Sequence, residues 1–177
     1  GKTGFGHLFE DMMFQKSENI AEDQFCKNIQ GAGGTLNGST SNDRTNYYEV
    51  VPKNALEMAL RMASDRMGSL ENMVTKSALV NQQNVVQNEK RESVDNAAYG
   101  FNQGLIAKTL YPKGHPYSWT VIGEMKDLTG ATVQDVRAFH KKYYSPNNAT
   151  LVVAGDIDKA AVKAMIEKYF GEIPKGE

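Results

Sequence analysis

Cysteine is almost absent from these 177 residues. The single Cys26 excludes an intrachain disulfide and any metal site built from four thiolates. It falls inside an apolar helical pattern and reads as a small core residue. No stretch of about 18 apolar residues occurs, so no helical membrane span is expected. Neither sign of charge dominates: 20 Lys and Arg stand against 21 Asp and Glu, for a formal net charge of −1. That balance gives no electrostatic reason to expect nucleic acid or an anionic membrane as a partner. Internal repeats, low-complexity tracts and long linkers are missing too. Gly1-Lys2-Thr3-Gly4 does not form a signal peptide. What is present suits a folded chain: 40% hydrophobic and 23% charged residues allow a core and one domain over 1–177.

Periodicity sets the expected elements. Residues 5–14 are rich in helix formers and follow glycines. Phe25, Cys26 and Ile29 recur at helical spacing within 21–30, and Gly31, Gly33 and Gly34 then stop that helix. Residues 35–40 and 45–51 read as strands joined by the turn chemistry of Ser41-Asn42-Asp43, with Pro52 closing the pair. Leu56, Ala59, Leu60, Ala63 and Met67 mark an amphipathic helix. A long helix over 79–96 is expected to turn Val85 and Val86 inward and Lys90, Arg91 and Glu92 outward. Thr132 and Asp135 open a helix through Tyr143. Residues 149–154 form a short apolar stretch expected to be a strand. Asp158 caps a last helix that faces Val162, Met165, Ile166 and Tyr169 one way. Partly segregated strands and helices predict an α+β fold, with a mixed or antiparallel sheet and helices on one face. Three strands are few for this many helices, so further strands are expected upstream of Gly1.

The chemistry concentrates in His7-Leu8-Phe9-Glu10-Asp11. On a helix, positions 7, 10 and 11 project from one face. An imidazole and a second ligand one turn later can share one metal, and the carboxylate at the fourth position can act as general base. The pentapeptide alone suits an ordinary helix equally well. The other histidines carry less. His115 in a polar loop reads as structural, and His140 beside two lysines reads as a solvated surface residue. Met58, Met62 and Met67 read as core filler. No serine or cysteine triad is supported.

Longer motifs surround the pentapeptide in order. Gly4-Phe5-Gly6-His7-Leu8-Phe9-Glu10, with Met12-Met13-Phe14, resembles the zinc helix of the pitrilysin/insulinase family, whose inverted motif is H-x-x-E-H. Gly33-Gly34-Thr35-Leu36-Asn37-Gly38-Ser39-Thr40 and Asp43-Arg44-Thr45-Asn46-Tyr47-Tyr48 resemble its active-site edge strand. Val85-Val86-Gln87-Asn88-Glu89-Lys90-Arg91 resembles the helix that supplies its third ligand. His115-Pro116-Tyr117, Tyr143-Tyr144-Ser145-Pro146-Asn147-Asn148-Ala149 and Val153-Ala154-Gly155-Asp156-Ile157 complete the series. The resemblance covers nearly the whole chain. It implies one half of a clamshell metallopeptidase, with a second homologous domain or subunit outside this chain and a periplasmic or other non-cytosolic location.

The resemblance assigns metal ligation to His7 and Glu89 and the general base to Glu10. Two positions depart from the family. Its second motif histidine is Asp11 here, and an acidic residue two helical turns before the distal ligand, which assists in some members, is Gln82. Aspartate can bind zinc, but it reaches roughly 1 Å less far than a histidine's far nitrogen, against a tolerance of about 0.2 Å. One histidine with two carboxylates neutralises the dication, so a bound water is acidified less and a carbonyl polarised less. Oxygen ligands also move preference from zinc toward manganese or magnesium. The strand residues Asn37, Gly38, Ser39 and Thr40 are expected to bind an extended peptide or unfolded segment by strand addition, with Asn37 touching its backbone. Two functions follow. One is a metalloendopeptidase half that hydrolyses peptides with metal-bound water, weakly because of Asp11. The other is a non-catalytic peptide-binding or scaffold domain supporting an active partner.

Overall fold

Short apolar stripes, each covering one face of a helix, leave this chain dependent on packing helix against helix. A computed structural model describes residues 1–69 and 74–176. Among the described residues there are eight α-helices and one two-stranded sheet. They are α1 (Phe5–Met12), α2 (Gln24–Gly31), α3 (Leu56–Ser69), α4 (Lys76–Lys90), α5 (Asn102–Leu110), α6 (Met125–Thr129), α7 (Val133–Tyr143) and α8 (Lys159–Phe170). The strands β1 (Thr35–Thr40) and β2 (Thr45–Val50) pair as a hairpin. The α+β class follows from this mixture. The hairpin turn closes where Asn42 and Asp43 predicted it. Ser41 N–H donates to the Arg44 carbonyl at 2.8 Å, and Arg44 Nη1 donates to Ser39 Oγ at 3.0 Å.

The chain divides into two compact units, each assembled from three stretches. The first holds Gly1–Met12, Gly38–Asn46 and Thr75–Val133. Its centre is α1 against α4, with Leu8, Phe9 and Met12 buried on one side and Leu79 and Val86 on the other. Thr75 caps α4 by accepting from Ala78 N–H at 3.2 Å. The buried stripe of α4 is Leu79, Gln82, Gln83 and Val86. Two of its four members are amides. Gln83 uses its burial to donate to the carbonyls of Leu128 and Ala131 at 2.7 and 3.1 Å, which fixes α6. Gly4 enters α1 at φ +80°, and a Cβ there would lie 2.5 Å from the Ile122 carbonyl oxygen. Only glycine permits that approach.

The second unit holds Met13–Asn37, Tyr47–Val74 and Gln134–Glu177. Its core is Ile20, Phe25, Ile29, Ala59 and Met62, with Phe14, Leu36, Val51 and Met58 packed around it. Arg66 is buried in this unit. Its guanidinium lies 4.3 Å from the Phe25 ring centre and 4.8 Å from that of Tyr47, and it pairs with Glu49 at 2.7 Å. Asp158 caps α8, accepting from Ala161 N–H at 2.7 Å.

Four expectations are corrected. Residues 149–154 join no sheet among the described residues, and Leu151 and Val152 are exposed. A strand exists only with a neighbour to share its ladder, which hydrophobicity alone does not supply. Val85 is exposed while Val86 is buried, because adjacent helical residues point about 100° apart. The α4 helix ends at Lys90, and Arg91–Asp95 continues as a π-helical turn. His140 is buried and stacked on Tyr144, so it is not a solvated surface residue.

Replacing Arg66 with Met strands the Glu49 carboxylate without its ion pair. Urea unfolding is expected to show a loss of about 3 kcal/mol. A loss below about 1 kcal/mol would show that the rings rather than the charge hold this unit.

Candidate metal centre

Every residue of the site described below except Asn37 lies in the first unit. It begins with the pitch of α1. Positions 7, 10 and 11 share one side of the helix, and that side carries an imidazole and two carboxylates. Glu10 is buried. Thr40 Oγ1 donates to its Oε2 at 2.5 Å, and the Thr40 hydroxyl also lies 3.1 Å from that of Thr45. Strand β1 makes room for Glu10 at Gly38, where an added Cβ would lie 2.5 Å from Glu10 Oε1. The expected peptide-binding residues therefore divide. Thr40 anchors Glu10, Gly38 makes space for it, Ser39 accepts from Arg44, and Asn37 is exposed on β1.

Asp11 and His7 face α4. Glu89, on the last turn of that helix, brings its Oε2 to 3.6 Å from His7 Nε2. One donor atom each from His7, Asp11 and Glu89 lie within 4.8 Å of one another. Around a tetrahedral ion with bonds of about 2.1 Å, donor atoms stand roughly 3.4 Å apart. The π-helical turn begins two residues after Glu89, at Arg91, and there Ser93 Oγ donates to the Glu89 carbonyl at 2.7 Å. Such turns recur at functional sites, and nothing in hydropathy marks one.

Burial is the main cause that pushes the Asp11 carboxyl up to about 6. His7 opposes the rise, Glu89 and Glu10 add to it, and a hydrogen bond from the Gln82 side chain lowers it again. Gln82 is the residue that sequence reasoning undervalues: it stands where the family carries an assisting acid, and its buried amide is a direct partner of Asp11. Spacing could have shown this, since 82 and 89 fall on one face of α4 two turns apart. Two buried atoms of the cluster, His7 Nδ1 and Asp11 Oδ2, have no hydrogen-bond partner among the described residues. Buried polar atoms of that kind call for a ligand. A nitrogen and carboxylate oxygens at this separation, with Asp11 Oδ2 unpartnered among them, fit a divalent cation.

The stretch 2–114 matches the family model described as Insulinase (Peptidase family M16). This chain belongs to the insulinase family. A second family model, described as Peptidase M16 inactive domain, matches residues 130–177. The chain is 34% identical over 170 residues to "Zinc protease PqqE" of Helicobacter pylori, covering 96% of this chain and 38% of that protein. It is 26% identical over 171 residues to "Probable mitochondrial-processing peptidase subunit beta" of Schizosaccharomyces pombe, covering 97% and 36%. The crystal structure of a protease from Helicobacter pylori aligns with a TM-score of 0.93 at 32% identity, over 98% of this chain and 41% of that one. This insulinase-family chain thus spans about two fifths of the length of these relatives.

The raised Asp11 carboxyl has a consequence for the metal-free protein. The unfolded chain ionises this residue near its ordinary 3.8, while the folded chain holds the proton to about 6. The cost of ionising it is absent below 3.8 and complete above about 6, so its contribution to stability falls as pH rises across that window. Asp11→Asn removes the effect. With chelator present, urea unfolding should show the variant gaining on the native protein between pH 4 and 6.5. A difference that stays flat with pH contradicts the assignment.

Proposed function

We propose that this domain is a metal-dependent peptide-hydrolase half whose cation is held by His7, Asp11 and Glu89, with Glu10 as general base. The observation that carries the reading is the convergence of those three donors beside a buried Glu10. When bound, a divalent cation supplies Lewis acidity toward a peptide carbonyl and toward water. The chain's own residues do the rest. Thr40 holds Oε2 of Glu10, so the carboxylate has a fixed orientation from which to take a proton from water and pass it to the departing amine. Zinc is the expected cation by kinship. Asp11 makes the site less positive than two imidazoles would, so zinc binds less tightly and catalysis is slow. Manganese or magnesium competes better here than in a histidine-rich site.

The substrate is an extended peptide or an unfolded segment. Among the described residues β1 has a strand neighbour on one side only, β2. An added strand along Asn37, Gly38, Ser39 and Thr40 would pass the anchored Glu10. The relatives' greater length supports a second homologous domain or subunit that completes the substrate chamber. A second reading is a non-catalytic domain that holds peptides or supports an active partner. Asp11 favours it, as does the match of 130–177 to a model described as inactive.

The full-length protein separates the two readings. The first expects one divalent ion per domain, lost in His7→Ala, and a slow cleavage of a quenched fluorescent peptide. Glu10→Gln should keep the ion and lower cleavage by about 10²–10⁴-fold. Gly38→Ala, which crowds the Glu10 carboxylate, should lower cleavage with the ion retained. Cleavage unchanged in Glu10→Gln, or no ion in the native protein, overturns the catalytic reading.

A further inference from the structure

We propose that Gln82 is the positioning residue that makes Asp11 a metal ligand, the two forming an exchanged pair that shifts the site toward oxygen-preferring cations. The proposal rests on the metal-site reading above and adds a residue and a selectivity to it.

Gln82 is only 5% exposed. A buried amide must be satisfied, and its side chain donates to the Asp11 carboxylate while Asp11 Oδ2 has no partner among the described residues. One end of the carboxylate group is thereby steadied while an oxygen stays available for an ion. Seven residues later on the same face of α4 stands Glu89, so one helix supplies both a ligand and the support for another. The type of residue at 82 follows from the type at 11. A ligating imidazole presents an N–H to its support, and the complementary support is a carboxylate. A ligating carboxylate presents only acceptors, and its complement is a donor. A second carboxylate at 82 would face Asp11 with like charge. An amide is the shortest-range solution of the right length.

The exchange leaves total charge unchanged and moves it. With an imidazole at 11 and a carboxylate at 82, one carboxylate touches the ion and one lies behind. With Asp11 and Gln82, both carboxylates of the group, Asp11 and Glu89, reach the ion. Hard cations gain most from that relocation. The two departures from the family motif are therefore one change, and restoring Asp11→His alone restores half of it.

The test is a double-mutant cycle on metal affinity, measured by competition with a chromophoric chelator for Zn²⁺ and for Mn²⁺. Native protein, Gln82→Met, Gln82→Glu, Asp11→His and the double variant Asp11→His/Gln82→Glu are compared. Melting temperatures in chelator confirm folding of each. Gln82→Met is expected to weaken both metals by about 10–100-fold. Gln82→Glu is expected to raise Zn²⁺ affinity by about tenfold in the Asp11→His background, with no such gain in the native background. The ratio of Zn²⁺ to Mn²⁺ affinity should be smallest in the native protein and largest in the double variant. Native affinity in folded Gln82→Met, or an equal effect of Gln82→Glu in both backgrounds, overturns the proposal while leaving the metal site standing. If Gln82→Met does not fold, the two backgrounds of Gln82→Glu decide alone. Failure of the native protein to bind either ion overturns the proposal and the metal-site reading together.

Discussion

A helix that carries two adjacent carboxylates into a packed interior has to satisfy both, and much of the first unit follows from that demand. Glu10 and Asp11 are neighbours in α1, about 100° apart on the helix, and each is met by a different element. Glu10 is met by β1, through the Thr40 hydroxyl and the space left at Gly38. Asp11 is met by α4, through Gln82. The Asp11 solution is incomplete, as its raised carboxyl and partnerless Oδ2 show. A cation between His7, Asp11 and Glu89, as proposed above, would complete it. Support of the fold and preparation of the site are thus the same set of contacts.

Most helices and the hairpin were legible because their residues satisfy local rules. The 3- and 4-residue spacing from Leu56 to Met67 is a helix in any context that offers an apolar neighbour. The same holds for the turn chemistry between Thr40 and Thr45. What escaped depends on partners distant in sequence. Gln82 and Gln83 sit in a buried stripe because particular carbonyls and a carboxylate wait for them, and polarity alone places such residues outside. His140 is buried by stacking on Tyr144, which its two flanking lysines conceal. Residues 149–154 have the composition of a strand but no ladder partner among the described residues.

The site was legible to a similar degree and for a similar reason. His7, Glu10 and Asp11 announce themselves by helical spacing, and Glu89 by kinship. Thr40, expected to serve a peptide, also holds Glu10 through its hydroxyl. Its hydroxyl could not be assigned without knowing that β1 passes beside α1. Membership of the insulinase family explains why so many of these residues are present together. It does not by itself explain the carboxylate at 11, which is a matter of local charge and of the amide that faces it.

The central claim is that His7, Asp11 and Glu89 surround one divalent cation. Crystals of the protein grown with Mn²⁺ or Zn²⁺, with diffraction collected on both sides of that metal's absorption edge, test it directly. The expected result is a single anomalous peak about 2.0–2.2 Å from one atom of each of the three side chains. A well-ordered site with no anomalous peak at saturating metal, or a peak that Asp11 does not touch, would contradict it.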